Sequence, residues 1–292
     1  MENLNIAKAQ SIFVISDLHL GDGSLKDNFK FGKKQTLLQS FLDYVDKEEG
    51  ELIILGDFLE LWGHRLESVI CKQGFLLDRL ADMGVVFVPG NHDAELLSWE
   101  NMSKPPHVFF EATTRPFVRT IGGNRFKFMH GHEADPFVQG NMKTLARALT
   151  AYTPVLALEN AILTLSNDAL VDAVLEVGEN ILRLWDWITG NVKRTFQECC
   201  SVVPNNTLTV SKRKIRTQKM LTRYYQDKGR DLYDVAIVGH THRPGRFGNW
   251  YFNSGSWTGR TNNFLRISPD GGVEVSDWGE NGANVRTTSL MD

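Results

Sequence analysis

Five short apolar runs organise the chain, and each stops abruptly at a small polar cluster. Ile12-Phe13-Val14-Ile15 runs into Ser16-Asp17-Leu18-His19, Leu52-Ile53-Ile54-Leu55 into Gly56-Asp57, and Val85-Val86-Phe87-Val88 into Pro89-Gly90-Asn91-His92-Asp93. Later, Phe126-Lys127-Phe128-Met129 leads into His130-Gly131-His132, and Val235-Ala236-Ile237-Val238 into Gly239-His240-Thr241-His242. Runs this short and this rich in Val and Ile read as buried strands, and a glycine at the end lets the chain turn sharply. Side chains two apart on an extended chain point the same way, so Asp17 pairs with His19, and His240 with His242.

Between these runs the apolar period changes. Leu37, Leu38, Phe41, Leu42 and Val45 have helical spacing within Lys33 to Glu48, and residues 66 to 83 read as a second helix. Strand, helix and strand in alternation predict an α/β layered fold with functional groups outside the carboxyl ends of the strands. From Val108 onward short strands are predicted at 108 to 111, 116 to 120 and 125 to 129, the last two joined as a hairpin through Gly122-Gly123-Asn124. Residues 137 to 230 lose strand character. An apolar repeat from Pro154 through Leu175, and another from Ile181 to Ile188, predict helices, while Glu159, Asn160, Asn167 and Asp168 interrupt the apolar stretch too early for a membrane span. The expectation is one domain over residues 1 to 292 with a helical insertion at about 137 to 230, a candidate surface for oligomer contacts. Strands at 250 to 253, 264 to 267 and 273 to 276 follow, then a polar tail from Gly279 expected to fray.

Composition adds exclusions. A net charge of -3 and a pI near 6.3 argue against nucleic acid as the partner of the whole surface. Locally, residues 211 to 230 carry Lys212, Arg213, Lys214, Arg216, Lys219, Arg223, Lys228 and Arg230 against Asp227 alone. That stretch is either a solvated helix face or a patch facing phosphate or lipid headgroups, which would allow peripheral membrane contact. Cys71, Cys199 and Cys200 make no paired framework and read as reduced thiols. Met1 to Gln10 holds no apolar core of a signal peptide, and the cytoplasm is the expected location.

Of the eight histidines, His19, His92, His130, His240 and His242 fall in the strand-end clusters, with His132 beside them. Carboxylates, imidazoles and an amide oxygen without thiolate suit divalent Mn, Fe or Zn better than Mg or Cu.

The ordered blocks Asp17-x-His19, Gly56-Asp57, Gly90-Asn91-His92-Asp93, His130 and Gly239-His240-x-His242 resemble the calcineurin-like metallophosphoesterases, and Asn253-Ser254-Gly255-Ser256 looks like that family's closing turn. The resemblance implies a four-layer αββα sandwich of two mixed sheets flanked by helices. It implies two divalent metal ions, Mn first, with Asp17, His19 and His242 on one, Asn91, His130 and His240 on the other, and Asp57 bridging. Such a pair, roughly 3.5 to 4 Å apart, lowers the pKa of a bridging water from about 15.7 towards about 7 and clamps the phosphoryl oxygens. The implied reaction is hydrolysis of a phosphate mono- or diester by a metal-bridging hydroxide, with His92 as general acid.

The remaining residues divide less cleanly. Trp62 reads as core and His64 as surface, while Arg65 and His132 are candidate substrate contacts. Asp93 either orients His92 or caps a helix beginning near Ala94. The early Asp-Leu-His-Leu, Gly-Asp-Phe followed by Trp62, and the helical insert look in part like the UDP-2,3-diacylglucosamine pyrophosphohydrolases, which would make a nucleotide-lipid the substrate. That branch has Arg where this chain has His92. A non-catalytic metal-binding scaffold and a nucleic-acid-processing relative are the readings from other classes.

Overall fold

The computed structural model describes residues 10–24, 27, 29, 33–99, 104–135, 212–258 and 261–286. Within them the strands are β1 (Ile12–Ile15), β2 (Glu51–Leu55), β3 (Val86–Val88), β4 (Phe117–Ile121), β5 (Asn124–Phe128), β6 (Val235–Val238), β7 (Gly245–Phe247), β8 (Tyr251–Asn253), β9 (Asn263–Ile267), β10 (Val273–Gly279) and β11 (Gly282–Arg286). The helices are α1 (Lys34–Lys47), α2 (Leu66–Asp82) and α3 (Lys212–Gly229).

The strands form two mixed sheets, one ordered β11-β10-β9-β1-β2-β3 and the other β4-β5-β6-β8-β7. β1, β2 and β3 are mutually parallel, as are β5, β6 and β8, so in each sheet the cluster-bearing strands end on a common side. Alternation along β1 explains the layering. Ile12 and Val14 face Phe126, Phe128, Ile237 and Phe252 of the other sheet, while Phe13 and Ile15 face the opposite way, into the core under α1 and α2. α1 contributes Leu38, Phe41, Leu42 and Val45 to that core, and α2 contributes Val69, Leu76, Leu77 and Leu80. Each such fully buried side chain is worth roughly 1.5–3 kcal/mol relative to exposure. On the far side, Met220, Leu221 and Tyr224 of α3 pack on Ala236, Val238 and Tyr251. Helix, sheet, sheet and helix therefore stack in the order expected of an αββα sandwich.

Two local expectations are corrected, and one strand goes unread. Residues 108 to 111 form a 3-10 turn, Val108–Ala112, where a strand was expected. Phe109 and Phe110 are consecutive yet both buried in the same core, which a strand's alternation would prevent. Within the tail expected to fray, Gly282–Arg286 is the strand β11, paired antiparallel to β10 through the register Gly279↔Gly282, because a two-residue turn reverses the chain there; the tail beyond Arg286 lies outside the described residues. β7, three residues long, has too short a pattern to be read. The predicted hairpin is present, with Gly122 and Gly123 both at positive φ between β4 and β5.

Of the predicted insertion only its last helix, α3, is described; the apolar repeats between Pro154 and Ile188 lie outside the described residues. Among the described residues no helix is long and apolar enough to cross a membrane.

Candidate metal centre

Asp17, His19, Asp57, His240 and His242 all adopt left-handed backbone conformations, with φ between 48° and 68°. Outside glycine this region is uncommon, although Asp and His enter it more readily than most residues, and strain of this kind gathers at functional sites. Here it turns each strand end inward. The amide of Asp17 donates to Gly56 O at 3.0 Å and that of His19 to Asp57 O at 2.9 Å, tying the first two loops together. Close approach also requires glycine: a Cβ on Gly90 would lie 2.3 Å from Asp57 Oδ1, and one on Gly56 would lie 2.5 Å from the His130 ring.

Both carboxylates are used on two sides. Asp17 Oδ2 accepts the His240 amide at 2.9 Å and the Ser16 hydroxyl, while Oδ1 lies 3.1 Å from His242 Nε2. Asp57 Oδ1 accepts the His92 amide at 2.8 Å, while Oδ2 lies 3.2 Å from His130 Nε2, 3.8 Å from His19 Nε2 and 4.0 Å from His92 Nε2. The imidazoles are held from behind. His130 Nδ1 donates to Leu55 O at 2.7 Å, His19 Nδ1 to Glu60 at 2.8 Å, and His242 Nδ1 lies 3.3 Å from Thr258 Oγ1.

Among the described residues, three groups of ligand-type side chains converge here: Asp17, His19 and His242; His19, Asp57 and His92; and Asp57, His130 and His240. Asn91 Oδ1 is buried without a hydrogen bond, while Asp17 Oδ1 and His130 Nε2 face only other groups of the cluster, His242 Nε2 at 3.1 Å and Asp57 Oδ2 at 3.2 Å. A buried acceptor left as Asn91 Oδ1 is costs roughly 1–3 kcal/mol, a cost that coordination to a cation would remove. The donor set therefore fits divalent metal.

Electrostatics point the same way. Burial opposes the charge on Asp57, but the imidazoles of His130, His92 and His19 outweigh it and hold the carboxyl well below the usual range. Asp17 is likewise lowered, burial being overcome by His242 and His130. Burial works against a proton on His130, yet Asp57 and Asp17 raise its pKa to about 10. The site is thus built to hold positive charge beside two carboxylates, and cations entering it would displace protons.

His92 belongs to the second of these groups. Its Nδ1 is 2.8 Å from Glu60, the same carboxylate that receives His19, and its ring lies on the Trp62 indole with centroids 3.9 Å apart. Burial resists ionisation of Glu60, but the two imidazoles keep it firmly anionic. Glu60 and Trp62 were not read as site residues; the signal was Glu60 three positions after Asp57, on the same turn. Asp93 faces the neighbouring loops. It accepts the amides of Gly90, Phe58 and Leu59 at 2.6, 2.8 and 3.1 Å, clamping the second and third loops together. Burial and the charge on Asp57 push its pKa up to about 6.

His132 reaches the edge of the cluster, its ring centroid 5.5 Å from that of His130. Burial lowers its pKa to about 4, so it is a neutral imidazole. Arg65 is outside the cluster, 86% exposed and 3.7 Å from Glu67. His64, expected at the surface, is buried with Nδ1 3.0 Å from Asp22 Oδ1, where it ties the loop after β2 to that after β1. Of the basic residues of α3, those at 212, 213, 214 and 216 are described in their backbone alone.

Residues 11–244 match the family model of the calcineurin-like phosphoesterases. No curated protein matches significantly. Among solved structures, a conserved uncharacterized protein from Streptococcus pneumoniae TIGR4, described as a predicted phosphoesterase, is 14% identical with a TM-score of 0.38 over 96% of this chain and 94% of its own. A dimetal phosphatase from Danio rerio is 12% identical with a TM-score of 0.45, over 95% of this chain and 98% of its own. At these values neither likeness carries an argument, and membership rests on the sequence match together with a buried centre able to bind metal. The chain belongs to the calcineurin-like phosphoesterase family and is a hydrolase acting on phosphoric esters.

Proposed function

We propose that the chain is a dinuclear phosphoesterase in which Asp17, His19 and His242 hold one divalent cation, Asn91, His130 and His240 hold the second, and Asp57 serves both. The observation that carries this reading is the convergence of buried Asp17, His19 and His242, and of buried Asp57, His130 and His240, into groups able to hold a cation, with Asn91 Oδ1 buried and without a hydrogen bond. Bound cations, of which Mn is the first choice on donor chemistry, would supply a hydroxide nucleophile at neutral pH and neutralise the phosphoryl oxygens.

The chain's own residues do the rest. Asp57 is oriented by the His92 amide, so the bridging carboxylate and the proposed acid keep a constant separation. His92 gives its Nδ1 proton to the Glu60 carboxylate as a hydrogen bond, which leaves Nε2 to carry the proton that a departing alkoxide needs. His132, neutral and partly exposed, is placed to touch substrate without competing for charge.

Substrate choice rests with the segment at about 137 to 230, which we read as an insertion of one domain and as a recognition cap. All the proposed ligands lie outside it, and its carboxyl end is densely basic. A mono- or diester is the general reading and a nucleotide-lipid pyrophosphate the narrower one. The cytoplasm remains our reading of location, from charge and cysteine use.

The test compares wild type with His92→Ala, after Mn loading, on an alkyl and a nitrophenyl phosphate. Two metals per chain, with loss falling about 10²–10⁴-fold harder on the alkyl ester, is expected. Loaded wild type inert on every ester tried would favour a metal-binding scaffold, and equal losses would remove the acid role from His92.

A further inference from the structure

Asp135 has no place in the ligand pattern, yet it is among the most deeply enclosed charges in the chain. Its side chain is fully buried, and Oδ2 lies 2.7 Å from Nε2 of His240. The other three ligand imidazoles set a rule for reading this contact. In His19, His130 and His242, Nδ1 meets a protein oxygen behind the ring, from Glu60, Leu55 and Thr258 respectively, and Nε2 faces the carboxylates. In His240 the roles of the two nitrogens are exchanged, because Asp135 takes Nε2.

The geometry points to Asp135 as the outer-sphere carboxylate of the second metal position: it accepts the Nε2–H of His240 and so commits that imidazole to coordinate through Nδ1. A carboxylate behind a ligating imidazole fixes its tautomer and orientation and strengthens its donor nitrogen. Asp135 is a positioning residue and makes no contact with substrate. The inference rests on the dinuclear reading above and adds to it a residue from outside the motif.

What holds Asp135 in place is also visible. The turn Gly131 to Asp135 begins at a left-handed glycine, with φ of 115° at Gly131, and closes with the Asp135 amide on His132 O at 3.1 Å. From α3, the Tyr224 hydroxyl donates to Gly131 O at 3.0 Å and Arg223 to Ala134 O at 3.5 Å. The helix that ends the proposed insertion therefore braces the turn that sets His240.

The experiment is a titration of metal-free full-length chain with Co2+, read by visible absorbance and by metal content per chain, for wild type, Asp135→Ala, Asp135→Asn and His240→Ala. Asp135→Ala is expected to weaken the second equivalent by roughly 10- to 100-fold while leaving the first unchanged, and to alter the Co2+ spectrum of the second site only. Asp135→Asn, whose amide oxygen still accepts the Nε2–H, is expected to lose less. If Asp135→Ala does not fold, the decision falls on Asp135→Asn, where a selective weakening of the second equivalent that is smaller than in His240→Ala supports the assignment. Second-site binding equal to wild type in the Asp135 variants would overturn the assignment and leave the dinuclear reading intact. Asp135→Asn as damaging as His240→Ala would make Asp135 a ligand itself, which overturns the outer-sphere role. A wild type that takes up one equivalent only would overturn the dinuclear reading and this assignment with it.

Discussion

The indole of Trp62 lies face to face with the imidazole of His92, centroids 3.9 Å apart and planes 18° from parallel, while its Nε1–H donates to the carbonyl of Asn91 at 2.9 Å. One side chain thus sets both the ring proposed as acid and the backbone of the ligand beside it. We expect Trp62→Leu to lower kcat on alkyl esters by about 10- to 100-fold, the scale of a small misplacement at a reacting centre. Trp62→Phe keeps a stacking face and should lose less. Steady-state kinetics with metal content measured in parallel checks this: loss of metal equal to loss of rate would assign Trp62 to the ligand shell and not to His92.

Asp57 stands within reach of three imidazoles and belongs to two of the candidate ligand groups. Asp57→Asn removes a charge that balances two dications. Turnover should fall to background, and metal content should drop below two per chain. A variant that keeps both metals and a near-normal rate would show that the bridge lies elsewhere.

Gly90 has no room for a side chain, with Asp57 Oδ1 2.3 Å from where its Cβ would stand and the His130 ring 2.8 Å away. Gly90→Ala must push the Asp57 carboxylate, the proposed bridge, aside, and overpacking of this kind costs about 1–3 kcal/mol. Thermal unfolding with and without Mn2+ separates the two consequences. We expect a lower Tm without metal and a smaller metal-induced rise than in wild type, because the displaced Asp57 holds cations less well.

Lys34 offers a pH test away from the site. It is 5% exposed, its ammonium donates to Thr261 O and Asn262 Oδ1, and burial lowers its pKa from 10.5 to about 8. Between those values the unfolded chain binds the proton and the folded chain does not, so this group makes stability rise as pH increases from about 8 to 10.5. Each unit of depression corresponds to about 1.4 kcal/mol. Lys34→Met should flatten that rise in a comparison of denaturant midpoints across the window. Parallel curves for variant and wild type would remove Lys34 as the cause.

What the sequence determined by itself was local in origin. The strands Ile12–Ile15 and Val235–Val238 are continuous apolar runs, α1 and α2 are periodic, and each ligand block directly follows a strand, so period and adjacency suffice to find them. Adjacency in sequence cannot report which strand ends face one another. Glu60 shares itself between His19 and His92 because β1, β2 and β3 are parallel neighbours in one sheet, and Asp135 reaches His240 because β5 and β6 are parallel neighbours in the other. Asp93 is the instructive reversal: beside His92 in sequence, it turns to the amides of the neighbouring loops because a buried carboxylate next to Asp57 needs donors more than it needs a ring. The fate of residues 108 to 111 and of the strand after Gly279 was likewise decided by packing and pairing partners that are distant in sequence or shared on one face, which a local pattern does not contain.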